Sequence, residues 1–212
     1  MKKLMLGNQA VARGLYEAGV RFVSAYPGTP STEITEQAAL YDEIYAEWAP
    51  NEKVAAESAA GASLAGARSF CAMKHVGFNV AADPLFTASY TGVNAGFVIA
   101  VADDPGMHSS QNEQDSRHYA IASKLAMLEP ADSSECRDFV KEAYALSEAY
   151  DTPVILRTCT RVAHSQNLVE LGEREERALK PYEKNPRKNV AAPANAVGRH
   201  VAVEERMLAL AE

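Results

Sequence analysis

Cysteine is scarce in this chain and cannot be grouped: Cys71, Cys136 and Cys159 lie far apart, with no CxxC pair. That spacing excludes a zinc knuckle or an iron–sulfur ligand set drawn from these residues. It suits a reducing compartment, where cysteines serve as small buried apolar groups. Long apolar runs are missing too. No stretch approaches the roughly 20 residues needed to cross a bilayer, and the opening MKKLMLGNQAVARGL returns to polar residues too soon for a signal peptide. A cytoplasmic location with no membrane partner is therefore expected. Basic runs are absent and the formal net charge is −7, which disfavours nucleic acid as a partner. Asp103 and Asp104 stand before Pro-Gly without a ligand cluster of fixed spacing, so no metal site is assigned.

What remains is ordinary for one compact folded domain: 212 residues, 47% hydrophobic and 23% charged. Helical and extended signals alternate along it. GNQAVARGLYEAG has apolar residues at helical spacing and stops at Gly19; RFVSAYP reads as a strand ending at Pro27. PGTPSTEITEQAALY turns into a second helix that Ser31 or Thr32 could cap, with Glu33 and Glu36 at its positive end. A short strand follows near Ile44 to Glu47, and SFCAMK, GFVIAVAD, MLEP and PVILRT are further strand candidates. Helices are expected from about Phe78 to Tyr90 and from Ser133 to Ala149.

Short continuous apolar runs separated by helices are what a parallel sheet covered on both faces requires. The expected fold is a doubly wound, mostly parallel α/β domain over residues 1–162. A polar extended arm follows over 163–212, carrying Pro181, Pro186 and Pro193 and ending in a helix from about Val201 to Ala211. Ligands of such sheets bind beyond the carboxyl ends of the strands. That directs attention to Tyr26–Ser31, Lys74–Asn79 and Asp103–Asp115.

Glu52 opens a segment, NEKVAAESAAGASLAGARS, built largely from alanine, glycine and serine. Asn51 is a good N-cap, and a carboxylate in the first turn gains about 0.3–1 kcal/mol from the helix dipole, so an acid here needs no catalytic purpose. The rest of the helix shifts that balance. Gly61 and Gly66 each cost about 1 kcal/mol relative to alanine, a cost usually accepted so that another backbone, a subunit or a flat ligand can approach. YPGTPS supplies a strand end, a glycine for a tight turn and hydroxyls near a helix start; its plain reading is a turn and a cap. His75 follows the strand SFCAMK beside Gly77, where structural and ligand-binding roles are about equally supported. His108, Ser109, Gln111 and Asn112 lie in the long polar loop after GFVIAVAD and could wall a pocket.

YPGTPSTEI at 26–34, ESAAGASLAGAR at 57–68, MKHVGFNVAADPL at 73–85 and VADDPGMHSSQNEQDSR at 101–117 together resemble the alpha subunits of indolepyruvate:ferredoxin oxidoreductases, within the thiamine diphosphate-dependent 2-oxoacid:ferredoxin oxidoreductases. The resemblance runs through about Ser165. It implies a pyrimidine-binding domain in which Glu52 hydrogen-bonds N1′ of the cofactor's aminopyrimidine. Tyr26, Pro27, Gly28, His75 and Gly77 are implied as cofactor contacts. Thr29, His75, His108, Gln111 and Asn112 are implied as contacts of the 2-oxo acid substrate. Glu57 fits that pattern less well and is expected at a surface or interface. For the complete enzyme the resemblance implies oxidative decarboxylation of an arylpyruvate, acylation of coenzyme A and transfer of electrons to ferredoxin through iron–sulfur clusters.

The chain departs from the full pattern. It has no GDG followed by the asparagine that holds magnesium and the cofactor's diphosphate, and no cysteine-rich segment. The expectation is an N-terminal pyrimidine domain alone, excised or encoded by a split gene, binding thiamine diphosphate weakly and inactive by itself. Its expected partners are a diphosphate-binding domain of the same enzyme, a beta subunit, ferredoxin and a second copy in a homodimer. Two other readings stay open: a fragment of a thiamine-dependent 2-oxo acid decarboxylase, and a noncatalytic α/β interaction module.

Overall fold

The structure, a computed structural model, describes residues 1–211. Six strands form the central sheet: β2 (Phe22–Ala25), β3 (Tyr45–Trp48), β4 (Ser69–Lys74), β5 (Phe97–Asp103), β6 (Ala126–Leu128) and β7 (Val154–Cys159). Their order is β3-β2-β4-β5-β7-β6, and every pairing is parallel. The chain steps outward from β2 to β3, then crosses back to lay β4 on the other side of β2. The carboxyl ends of β2 and β4 therefore flank a topological switch point, where such sheets open a crevice.

The strand period of two divides the apolar residues of each strand between two cores. Phe70, Ala72, Val98, Ala100 and Leu156 face α1 (Gly7–Glu17), α2 (Thr32–Ala38) and α7 (Ser133–Ala149). Cys71, Met73, Ile99, Val101 and Ile155 face the opposite layer: α3 (Glu52–Leu64), α4 (His75–Val80), α5 (Ala82–Thr91) and α6 (Arg117–Ser123). This is the doubly wound arrangement expected of continuous apolar strands. Burial of the Cys71 thiol pushes its pKa well above the ordinary value, and Cys136 is pushed up to about 12. Both are inert apolar fillers.

Several elements differ from expectation. Residues 78–90 are not one helix: α4 and α5 meet at Ala81, whose ψ is near 4°. Pro84 falls in the first turn of α5, where its missing N–H costs nothing; inside a continuous helix its ring would strike the carbonyl four residues earlier. Ser31 precedes α2 without capping it. Its hydroxyl bonds the Gly28 carbonyl at 2.8 Å, and Thr32 Oγ1 accepts from the Gly28 N–H at 2.9 Å, so both hydroxyls pin the turn.

The segment after β7 holds a short helix, α8 (Thr160–His164), and a strand, β8 (Gln166–Glu170), that pairs antiparallel with β1 (Lys2–Leu6). Sequence patterning misses both strands because their faces are mostly exposed. Residues 171–185 then run extended beneath the amino ends of the sheet strands. Glu175 N–H bonds the Glu17 carbonyl and Lys180 N–H bonds that of Gly66, each at 2.9 Å. After a single turn, α9 (Pro186–Asn189), the closing helix α10 spans Pro193–Leu210. It begins a full two turns earlier than expected, because Pro193 sits at the first helical position, where its fixed φ favours a start. Arg206 anchors α10 by donating to the carbonyls of Ser89 at 2.8 Å and Asp151 at 3.2 Å. No helix among the described residues is long and apolar enough to cross a membrane.

Candidate functional site

Glu52 begins α3 just beyond the end of β3. Asn51 caps the helix, its Oδ1 accepting from the Val54 N–H at 3.0 Å, so helix nucleation does not depend on the glutamate. The Glu52 side chain is half-buried and has no hydrogen bond or ion pair with any described residue. It lies directly on Gly77, the third residue of α4: a Cβ there would stand 2.4 Å from Oε1, 2.5 Å from Cγ and 2.6 Å from Cδ. The carboxylate is thus seated on a bare backbone at the crevice while its acceptor sites remain unused. Gly61, on the outer face of the same helix, has nothing within 4 Å of a built Cβ.

The turn after β2 forms the crevice's second wall. Tyr26, Pro27 and Thr29 are exposed, and Gly28 is held from both sides by Ser31 and Thr32. Asn8 ties the turn down from α1, donating to the Pro30 carbonyl at 2.8 Å and to Glu33 at 2.9 Å.

The loop after β5 forms the third. It hangs from two buried aspartates at the strand end. Asp103 accepts from the Ser116 amide at 3.1 Å, from the Ser116 hydroxyl and from Arg157 at 2.8 Å. Asp104 accepts from the His108 and Ser109 amides at 3.3 and 2.7 Å, from Ser110 at 2.6 Å and from Thr160 at 3.0 Å. Burial alone pushes the Asp104 carboxyl up, but these four donors outweigh it and hold the group well below the usual carboxylate range. The adjacent acids are therefore loop anchors, and no group of three or more His, Cys, Asp or Glu able to hold a metal occurs among the described residues.

His75 is fully buried, and its Nε2 lies 3.0 Å from the Asn112 carbonyl. A carbonyl only accepts, so Nε2 carries the proton. Nδ1 is buried with no partner. His75 thus fastens the β5 loop to α4, with Asn79 bonding Gln114 at 3.4 Å alongside. Gln111 and Asn112 are exposed on that loop. His108, in the same loop, lines a cavity of about 590 Å³ with Pro105, Cys159, Thr160 and Arg161, over the ends of β5 and β7. Sequence reading passed over Lys74, which reaches across the crevice to bond the Ser109 carbonyl at 2.7 Å. The strand-end rule pointed at its position, but a solitary lysine carries no motif. Arg157 and Thr160 carry no motif because the aspartates they bond, Asp103 and Asp104, lie more than 50 residues away, and Arg161 enters only as a wall of the His108 cavity.

Residues 13–208 match the family described as pyruvate flavodoxin/ferredoxin oxidoreductase, thiamine diphosphate-binding. The chain is 48% identical over 206 residues to an indolepyruvate oxidoreductase subunit IorA of Archaeoglobus fulgidus, covering 92% of this chain and 33% of that protein. It is 48% identical over 210 residues to the subunit of that name in Methanothermobacter thermautotrophicus, covering 97% of this chain and 34% of the relative. The chain thus spans about a third of the length of these curated relatives. Among solved structures, the 2-oxoglutarate:ferredoxin oxidoreductase of Magnetococcus marinus superposes with a TM-score of 0.81 at 20% identity, covering 99% of this chain and 45% of that one. That similarity establishes the fold.

Proposed function

This chain belongs to the thiamine diphosphate-binding family of pyruvate flavodoxin/ferredoxin oxidoreductases, and from that premise we propose that it is the pyrimidine-binding part of an indolepyruvate:ferredoxin oxidoreductase alpha subunit. The observation that carries the reading is the Glu52 carboxylate, seated on the bare backbone of Gly77 with no partner of its own. A side chain at position 77 would occupy the space the carboxylate now fills. The site therefore fits a flat, nitrogen-bearing ring that needs a carboxyl partner at its edge.

When bound, thiamine diphosphate supplies a nucleophilic carbon and stabilises the charge left after carbon dioxide departs. Glu52 holds the proton at N1′ of the aminopyrimidine, which is general acid–base work. Tyr26, Pro27, Gly28, His75 and Gly77 form the ring's surroundings. Thr29, Gln111 and Asn112 face the 2-oxo acid, an arylpyruvate, with His108 at the far edge. His75 acts in this scheme through the loop it fastens. The diphosphate and its magnesium ion belong to a second domain, which approaches over the small-residue face of α3 around Gly61. Iron–sulfur clusters, the coenzyme A site, the beta subunit and the contact with ferredoxin lie outside residues 1–162, the cofactor-binding unit. Residues 163–212 form the arm and helix leading from it. The assembled enzyme is a cytoplasmic homodimer of such subunits.

Replacing Glu52 with glutamine in the full-length alpha subunit, assembled with its beta subunit, tests the reading. Reduction of ferredoxin by arylpyruvate and coenzyme A should fall by about 100-fold or more. Cofactor affinity, followed by calorimetry, should weaken far less. Undiminished turnover by the Glu52→Gln enzyme would overturn the assignment.

A further inference from the structure

Near the carboxyl ends of the sheet strands, cations are almost all neutralised by their neighbours. Arg157 pairs with Asp103, Arg117 with Asp115, and Lys53 with Asp83, at 2.7–2.9 Å. Lys74 is different. Among the described residues its ammonium forms no ion pair, and its sole protein acceptor is the neutral Ser109 carbonyl. That bond uses one of three N–H donors.

The position of the side chain matters as much as its charge. Lys74 is the last residue of β4, at the switch point. Its stem lies over the YPGTP turn: a Cβ built on Gly28 would stand 3.4 Å from Lys74 Cβ and 3.5 Å from Cδ. Three residues along the chain, Gly77 carries the Glu52 carboxylate. Lys74 therefore touches the turn after β2 and the loop after β5, and it leads into the helix that seats Glu52. In a protein of net charge −7, this ammonium has only a neutral carbonyl and solvent as partners, so it can take up an anion without breaking an ion pair.

We infer that the Lys74 ammonium binds the carboxylate of the 2-oxo acid and so selects acids over neutral carbonyl compounds. This rests on the 2-oxo acid reading above. The plainer alternative makes Lys74 a tether for the Ser109 loop, its stem covering apolar surface. The two differ in what a neutral hydrogen-bond donor at this position preserves.

The experiment compares Lys74→Gln and Lys74→Met in the full-length alpha subunit assembled with beta subunit and thiamine diphosphate. Glutamine keeps a donor for the Ser109 carbonyl without the charge. Both variants should raise KM for an arylpyruvate by about 10- to 100-fold, the range for a charge-assisted hydrogen bond, with kcat changed by less than about threefold. The dissociation constant of indole-3-acetate, a carboxylate probe that cannot react, should weaken by the same factor in calorimetry, while thiamine diphosphate affinity and melting temperature stay as in wild type. Wild-type affinity for the probe in Lys74→Gln overturns the inference even if Lys74→Met fails to fold. Loss of function in Glu52→Gln together with unchanged probe binding in Lys74→Gln would sink the lysine assignment alone. A wild-type enzyme that neither turns over arylpyruvates nor binds the probe would sink the substrate reading, and this inference with it.

Discussion

Gly77 and Glu52 share one space: Oε1 of the glutamate lies 2.4 Å from where a methyl group on the glycine would sit. The contact joins the start of α4 to the start of α3, two elements that follow different strands of the sheet. It sets where the carboxylate points, because the backbone beneath it cannot move without moving β4.

Gly77→Ala tests that relationship. The position is helical, where alanine is favoured over glycine by about 1 kcal/mol, so the fold should persist with a melting temperature near wild type. The carboxylate must shift instead, and a displacement approaching 1 Å in a reacting group costs on the order of 100-fold in rate. We expect kcat/KM of the assembled enzyme to fall by about that factor. Wild-type kcat/KM would mean that Glu52 does not depend on this seat.

Arg68 and Glu148 provide a pH-dependent contribution to stability at the opposite end of the sheet. Arg68 is buried and pairs through Nε and Nη2 with both Glu148 oxygens, at 3.0 and 2.9 Å. Burial pushes the Glu148 carboxyl up, but the Arg68 hydrogen bonds and charge outweigh it and lower the pKa from the ordinary 4.5 to about 2. A lowered native pKa means that the unfolded chain binds more protons between those values. The stabilisation is therefore complete above about pH 4.5 and is lost as the pH falls towards about 2. Glu148→Gln removes the two-point partner of the buried guanidinium and leaves it only Glu175 as a charge partner, at 3.2 Å, which should cost about 1–3 kcal/mol at pH 7, read from urea unfolding. The gap between wild type and variant should narrow below pH 4.5. An equal gap at pH 3 and pH 7 would assign the stability to some other contact.

The arm beneath the sheet depends on Gly66. Its φ is +97°, and a built Cβ would stand 1.8 Å from the Lys180 carbonyl oxygen. Gly66→Ala should therefore be destabilising by about 1–3 kcal/mol and should loosen the arm, so that trypsin cuts after Arg177 at least about tenfold faster. Gly61→Ala is the matched control. It meets open space in the same helical neighbourhood, and it should be neutral or stabilising by up to about 1 kcal/mol. Equal proteolysis of the two variants would show that the arm is held by its side chains alone.

The two cores could be anticipated from SFCAMK and GFVIAVAD, because an uninterrupted apolar strand has to bury both faces. The α4–α5 break was harder, since the apolar periodicity runs on through Ala81 and only the place of Pro84 decides where the second helix starts. β1 and β8 escaped because each is a short, mostly exposed strand whose partner lies at the other end of the chain. At the candidate site, Glu52 stood out for its place before a helix of small residues. Lys74 did not stand out, because nothing adjacent in sequence distinguishes it from a surface lysine.

Sequence alone determined the layered α/β class, the strand ends that matter and the acid at the head of α3, all of which follow from local periodicity and turn chemistry. Tertiary structure decided what meets what: Glu52 with Gly77, His75 with Asn112, Lys74 with Gly28 and Ser109, and His108 with Cys159, Thr160 and Arg161 around one cavity. Those meetings depend on strand order and on loops that return across the sheet. They are set by the burial of both faces at once, which no single segment of the chain encodes.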